Sequence, residues 1–248
     1  MAIATFRFYG PLNDFLPRWQ RQTSFDWSVS QQATLKDVIE SLGVPHPEIG
    51  LLLANSRAVS FNYRIQPDDR YSVYPAFYDL DVSALAPLPA LPPRPLCFVL
   101  DAHLGKLATY LRLLGFDTLY QNTFVDEELA RLSDHDKRVL LTRDRRLLMR
   151  SVVQFGYFVR HTQPSQQLLE IIHRYQLEAQ LMPFSRCLVC NGALQPVDKE
   201  QIADQLPPHV RAHQQSFLQC TDCSQVFWKG SHYDRMQEFM YSLFKTSS

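Results

Sequence analysis

Between Pro75 and Pro95 the chain reads PAFYDLDVSALAPLPALPPRP, with six prolines and no glycine. Proline fixes φ and donates no backbone hydrogen bond, so no helix or central strand runs through such a segment. It favours an extended, semi-rigid spacer. The polypeptide is thereby divided, with one unit ending near Tyr78 and another starting near Leu96. At 248 residues the chain is also long for one small domain. A second shift comes at Pro183, where helical periodicity gives way to a cysteine-punctuated segment. The expected organisation is a first unit over 1–78, a spacer over 79–95, a second unit over 96–183, and a third unit with its tail over 184–248.

The third unit carries the most specific pattern. RCLVCNGAL and LQCTDCSQVFW place Cys187, Cys190, Cys220 and Cys223 in two C-x-x-C pairs. Each pair folds the chain back so that two thiolates converge, and two pairs complete a closed tetrahedral Zn²⁺ shell. Such a shell leaves no open position for chemistry, so the zinc is expected to be structural. Redox chemistry would need one pair, at a strand-to-helix junction, and neither pair sits at one. Cys97, within an apolar run, reads as a small buried hydrophobe.

Charge excludes a uniformly basic nucleic-acid platform, because 25 basic residues balance 25 acidic ones. Any such activity must rest on a local patch. No apolar run reaches membrane-spanning length, and the N-terminus lacks the pattern of a secretion signal. The expectation is a soluble cytoplasmic protein with no membrane partner, its cysteines reduced or metal-bound.

The second unit alternates strand and helix patterns: LCFVLD, AHLGKLATYLRLLG, FDTLYQN, VDEELARLSDHD, KRVLLTRD, RRLLMRSVVQ, FGYFVRH and PSQQLLEIIHRYQL. This order predicts a mostly parallel sheet with helices on its faces, whose ligands bind at the carboxyl ends of the strands. Asp101 and Asp144 fall at two of those ends. A third acid comes from Asp126 to Glu128, at the positive end of a helix. Three hard oxygen ligands in a water-rich site suit Mg²⁺ or Mn²⁺. The alternative stays open on these residues alone, since Asp101 and Asp144 can each be a helix N-cap and the DEE run a complement to a helix dipole.

The first unit opens with an alternating strand and a second strand-like run around Ser24 to Val29. A helix follows, capped by Thr34 with Asp37 three residues on, and two more strands complete it. Strand, strand, helix, strand, strand is the order of a β-grasp.

Over FRFYG, TLKDVIESLGVPHPEI and DRYSVYPAF the first unit resembles the ubiquitin-like family that includes the sulfur carriers of thiamine and molybdopterin synthesis. It is most similar to the ubiquitin-like module in front of Mut-seven-C RNase domains. Carriers end in Gly-Gly, whereas this unit runs on through YPAFYDL, so the resemblance implies a docking or substrate-positioning role. VLDAHLGKLATYLRLLGFDTLY, VDEEL and RVLLTRD resemble the Mut-seven-C RNase domain, a branch of the PIN-type nucleases, and VFWKGSHYDRM resembles its zinc-ribbon tail. The likeness implies a catalytic metal set of Asp101, Asp126 and Asp144, with Glu127 as substitute for the middle acid. It also implies that the Thr142 hydroxyl orients a carboxylate or water. One departure is the fourth acid of many PIN nucleases, because RHTQPSQQ offers no carboxylate before Glu170.

Lys106, Arg112, Arg143 and Arg145 lie near this rim and can neutralise phosphates. Trp228 and His232 lie in an aromatic and cationic tail that can stack bases. Solvated helix faces and packing of the ribbon are the plain alternatives. The expected function is a Mg²⁺- or Mn²⁺-dependent RNase, with RNA as partner and a possible protein partner for the first unit. A non-catalytic RNA- or protein-binding adaptor is the rival. Haloacid-type phosphatase chemistry needs D-x-D, and the chain has Asp101-Ala102-His103.

Overall fold

The computed structural model describes residues 2–29, 32–78, 85, 87 and 91–245. Most of the expected spacer, 79–84, 86 and 88–90, lies outside the described residues. Its far end is laid on the second unit, where Arg94 Nη2 donates to the Tyr175 carbonyl at 3.0 Å.

The first unit contains β1 (Ala2–Phe8), β2 (Phe25–Val29), α1 (Leu35–Ser41), β3 (Ile49–Ala54), β4 (Arg57–Ala58) and β5 (Arg70–Pro75). Its sheet order is β2-β1-β5-β3-β4, with β1 and β5 parallel. This is a ubiquitin-like β-grasp. The capping box forms as read: the Asp37 N–H donates to Thr34 Oγ1, and the Thr34 N–H donates to Asp37 Oδ2. Leu35 and Ile39 of α1 then pack on Phe6, Phe8, Leu52, Tyr71 and Val73 of the sheet.

The second unit contains β6 (Phe98–Leu100), α2 (Gly105–Leu113), β7 (Thr118–Leu119), α3 (Asp126–His135), β8 (Val139–Thr142), α4 (Arg145–Leu148), β9 (Gly156–Phe158) and α5 (Pro164–Tyr175). All strands are parallel in the order β7-β6-β8-β9. Successive strand residues point to opposite faces, which separates two cores. Phe98, Leu100, Val139 and Leu141 meet Leu107, Leu111, Ile171 and Tyr175 of α2 and α5. Val99 and Leu140 meet Leu129, Leu147 and Leu148 of α3 and α4. Cys97 is half-buried and stands just before β6, not inside it.

The third unit is an antiparallel sheet of β10 (Leu194–Val197), β11 (Phe217–Cys220) and β12 (Val226–Trp228). A small core of Ile202, Val210, Phe217 and Val226 joins it to α6 (Pro208–His213). The C-terminal helix α7 (Ser231–Lys245) reaches back, and its Met240 packs on the core of the second unit.

The first unit is docked as well as tethered. Glu48 is 0% exposed, accepts the Phe158 N–H at 2.7 Å, and pairs with Arg160 at 3.3 Å. Arg160 also meets Asp14 at 3.1 Å, and the Phe15 ring meets Phe158 edge-on at 5.5 Å. His46 Nε2 lies 2.8 Å from the Val153 carbonyl.

Candidate active site and cysteine cluster

Because β6 lies between β7 and β8, the chain switches direction across the sheet at the β6–β8 pair, and the crevice at such a point is where parallel sheets take ligands. Leu100 pairs with Leu141, so Asp101 and Thr142 emerge side by side at the carboxyl ends. The Thr142 hydroxyl donates to Asp101 Oδ2 at 2.5 Å and accepts the Asp144 N–H at 2.9 Å. One buried hydroxyl therefore joins the Asp101 carboxylate to the Asp144 backbone.

The cap question resolves differently for each. Asp101 occupies the N-cap position of the turn Ala102–Leu104, yet its side chain makes no capping bond. Its second oxygen faces His103 Nδ1 at 3.3 Å. His103 Nε2 accepts the Arg143 N–H at 3.3 Å. Asp144 does cap α4, accepting the Arg146 N–H on Oδ1 at 2.7 Å. Its other oxygen stays available.

Asp126 and Glu127 lie exposed in the first turn of α3, where the helix dipole favours them. The structure does not bring them into the Asp101–Thr142–Asp144 cluster. Among the described residues, the one set of three or more potential ligand groups converging within 4.8 Å is the four cysteines. Glu170 is spent inside the fold, accepting from the Tyr157 hydroxyl and from the backbone N–H groups of Arg160 and His161.

Two of the expected phosphate-binding cations require correction. Arg112 is 5% exposed and donates to the carbonyls of Thr118, Leu188 and Val189, so it clamps the third unit to the second and has no face for phosphate. Arg145 lies over the rings of Phe15 and Phe158 and donates to the Phe15 carbonyl at 3.1 Å, where it joins the first unit to the second. Arg143 stands at the rim, but its Nη1 already serves the carbonyls of Val159, Arg160 and His161. Lys106 is exposed and rests over the Tyr110 ring at 5.2 Å, and Arg146 and Arg150 are exposed beside Asp144.

The cysteine cluster fits zinc. Cys187 and Cys223 sulfurs lie 3.7 Å apart, and those of Cys190 and Cys220 lie 3.3 Å apart. A tetrahedral shell with Zn–S bonds near 2.3 Å needs S···S edges of about 3.8 Å, close to what is present. The N–H groups of Gly192 and Asp222 donate to Cys190 Sγ and Cys220 Sγ, each at 3.4 Å. Without metal, burial pushes the Cys190 thiol up, while at Cys220 burial is outweighed by backbone N–H groups, which hold it down to about 7. Four thiolates close the shell. Trp228 packs on the ribbon's own core, so packing prevails there over an open stacking face. His232 lies in α7, but its side chain falls outside the described residues.

Sequence reasoning missed four residues. His103 was legible as an oddity beside Asp101, but its contact needs the Arg143 backbone. Asp117 gathers Arg138 at 2.6 Å, Asn191 at 2.9 Å and Arg186 at 3.5 Å, joining ribbon to sheet. Arg160 and its buried partner Glu48 carry no local pattern at all.

Among curated proteins none matches the chain. The solved structure of H. volcanii small archaeal modifier protein 1 is similar to part of it. That likeness has 16% identity, 31% coverage of this chain, 100% of that one, and a TM-score of 0.26. The Mut7-C ubiquitin family matches residues 1–81, and the Mut7-C RNAse domain family matches residues 96–240. With well over half of its length matched, the chain belongs to the Mut7-C RNAse domain family and carries a Mut7-C ubiquitin unit ahead of that domain.

Proposed function

We propose that this protein is a metal-dependent RNase whose reaction centre is the β6–β8 crevice. The observation that carries the reading is Asp101: a carboxylate at a strand end that declines the cap it is placed to make and is held instead by Thr142, with His103 Nδ1 3.3 Å away. Asp101 and Asp144 are the donors for a Mg²⁺ or Mn²⁺ ion, which takes one or two carboxylates and keeps several waters. When bound, such an ion polarises the phosphodiester and lowers the pKa of an attacking water. Thr142 fixes the orientation of Asp101 and ties it to the Asp144 backbone. Asp126, with Glu127 as substitute, supplies the third acid from the head of α3, beyond direct reach of the first two as the side chains stand. Lys106 and Arg146 neutralise phosphates at the rim. The cysteine-bound zinc holds the ribbon, the ubiquitin-like unit offers a docking surface, and the reduced cysteines suit the cytoplasm.

The rival reading, a non-catalytic RNA- or protein-binding adaptor, is favoured by one observation: the three acids do not close on one another. Incubating the full chain with labelled single-stranded and structured RNAs in Mn²⁺, Mg²⁺ or chelator separates the two. Cleavage with the ions and none with chelator is the expected result. Binding without cleavage in every condition would leave the adaptor.

A further inference from the structure

Trp19 is 68% exposed, an unusual place for the largest apolar side chain. The segment that carries it is fixed. Leu16 and Gln20 on either side are each 2% exposed, the Arg21 guanidinium is pinned by Nε to the Leu16 carbonyl at 2.8 Å, and the Gln22 N–H is held by Asn13 at 2.6 Å. The Trp19 ring stands edge-on to Phe25 at 6.3 Å. Its position therefore follows from its neighbours' burial, while its own face remains in solvent.

Two further observations indicate what that face meets. The exposed residues along its segment are Pro17, Arg18, Arg21, Gln22, Thr23 and Ser24, two cations and a single apolar neighbour. A protein-docking hot spot is seated among apolar neighbours that exclude water, whereas an aromatic ring between cations suits a base and its flanking phosphates. The same segment also abuts the proposed reaction centre. Asp14 pairs with Arg160, and Phe15 accepts from Arg145, the residue after Asp144. Trp19 is four residues beyond Phe15, so their Cα atoms are at most about 14 Å apart.

We infer that Trp19, flanked by Arg18 and Arg21, is a base-stacking platform for single-stranded RNA that extends the substrate path from the β6–β8 rim onto the ubiquitin-like unit. This inference rests on the nuclease reading above. It assigns the first unit a direct part in holding substrate, and it gives the protein a preference for strands long enough to reach from Asp144 to Trp19.

The test measures binding of the full chain, in chelator, to a labelled single strand of about 12 nucleotides and to the matching duplex. The parent is expected to prefer the single strand and to lose tryptophan fluorescence on binding. Trp19→Ala should weaken single-strand binding about tenfold and abolish the quench, while Trp19→Phe keeps most of the affinity. Arg18→Glu should weaken binding and flatten its salt dependence. Parental affinity in Trp19→Ala, or a quench that persists there through Trp27 and Trp228, overturns the inference while leaving the nuclease reading intact. Capture of a protein by the parent but not by Trp19→Ala, with RNA binding unchanged, overturns it in favour of a protein-docking surface. A parent that binds no RNA at all overturns both.

Discussion

Glu48 of the ubiquitin-like unit and Arg160 at the end of β9 form an ion pair across the boundary between two units, with the carboxylate wholly shielded from water. The Phe158 N–H is its second partner. A proline spacer alone would leave the first unit free to swing, whereas this pair fixes it against the strand ends that carry the crevice. Removing the Glu48 carboxylate leaves the part-exposed Arg160 to Asp14 and the Phe158 N–H without its acceptor, at a cost of roughly 3 kcal/mol. Glu48→Ala is therefore expected to lower Tm by about 10 °C for a chain of this size. A chain starting at Leu96 should lose stability or aggregate, having uncovered Phe158 and Arg160 together. Calorimetry settles it: a truncated chain that melts at the parent's temperature would mean the interface contributes nothing.

Asp117 is the corresponding hub between the sheet and the ribbon. Burial pushes its carboxyl pKa up, but the hydrogen bonds from Arg138 and Asn191 and the nearby Arg186 outweigh that and hold it below the usual value. A depressed carboxyl pKa contributes stability that is present above the unfolded value, near 3.9, and is lost as pH falls through the folded value. Asp117→Asn should cost about 2 kcal/mol at pH 7, the scale of a hydrogen bond to a charged group. The Tm gap between variant and parent should close as pH drops below about 4. A gap that stays constant from pH 7 to pH 3 would assign the effect to packing and not to charge.

The cysteine cluster predicts about one zinc per chain by metal analysis, with no loss of that zinc's role when Mg²⁺ or Mn²⁺ is withdrawn. Cys187→Ser and Cys220→Ser should each lower stability, because metal binding here is folding energy. The effect should travel. Leu188 and Val189, whose carbonyls hold the buried Arg112, lie between the first two ligands, so a loosened knuckle leaves that guanidinium short of acceptors. Purified protein that carries no zinc and melts normally would remove the metal from this picture.

Local pattern explains what the sequence revealed. Short continuous apolar runs set out β6 and β8, the spacing of Leu107 and Leu111 set out α2, and two C-x-x-C pairs announced the ribbon, since each signal lies within a few residues. Arg112 and Arg145 were misread for the opposite reason. On a helix each looks like a solvated cation, and the groups that consume them, Val189 and Phe15, lie 77 and 130 residues away. Glu48 and Arg160 were invisible for the same cause, at a separation of 112 residues. Asp101 was ambiguous locally, because a cap and a ligand share one sequence position; only the register of β6 against β8 puts Thr142 within its reach.

That register supplies the decisive chemical test. If Asp101 and Asp144 hold a divalent ion, Asp101→Asn and Asp144→Asn should each reduce RNA cleavage by orders of magnitude, since a neutral amide is a poor ligand for a hard cation. Stability should barely change. Asn caps a helix about as well as Asp, so the α4 cap survives in Asp144→Asn, and Asp101 makes no capping bond to lose. Thr142 adds a graded control. Its hydroxyl ties the Asp101 carboxylate to the Asp144 backbone N–H, so Thr142→Val frees Asp101 to turn and should cost about 10–100-fold in rate, the scale seen when a ligand's orienting partner is removed. Thr142→Ser keeps the bridge and should recover most of the activity. Tm and zinc content measured on the same samples exclude unfolding as the cause. Should both Asn variants cleave at the parental rate, the carboxylates are not metal ligands, and the crevice is a binding groove of an adaptor.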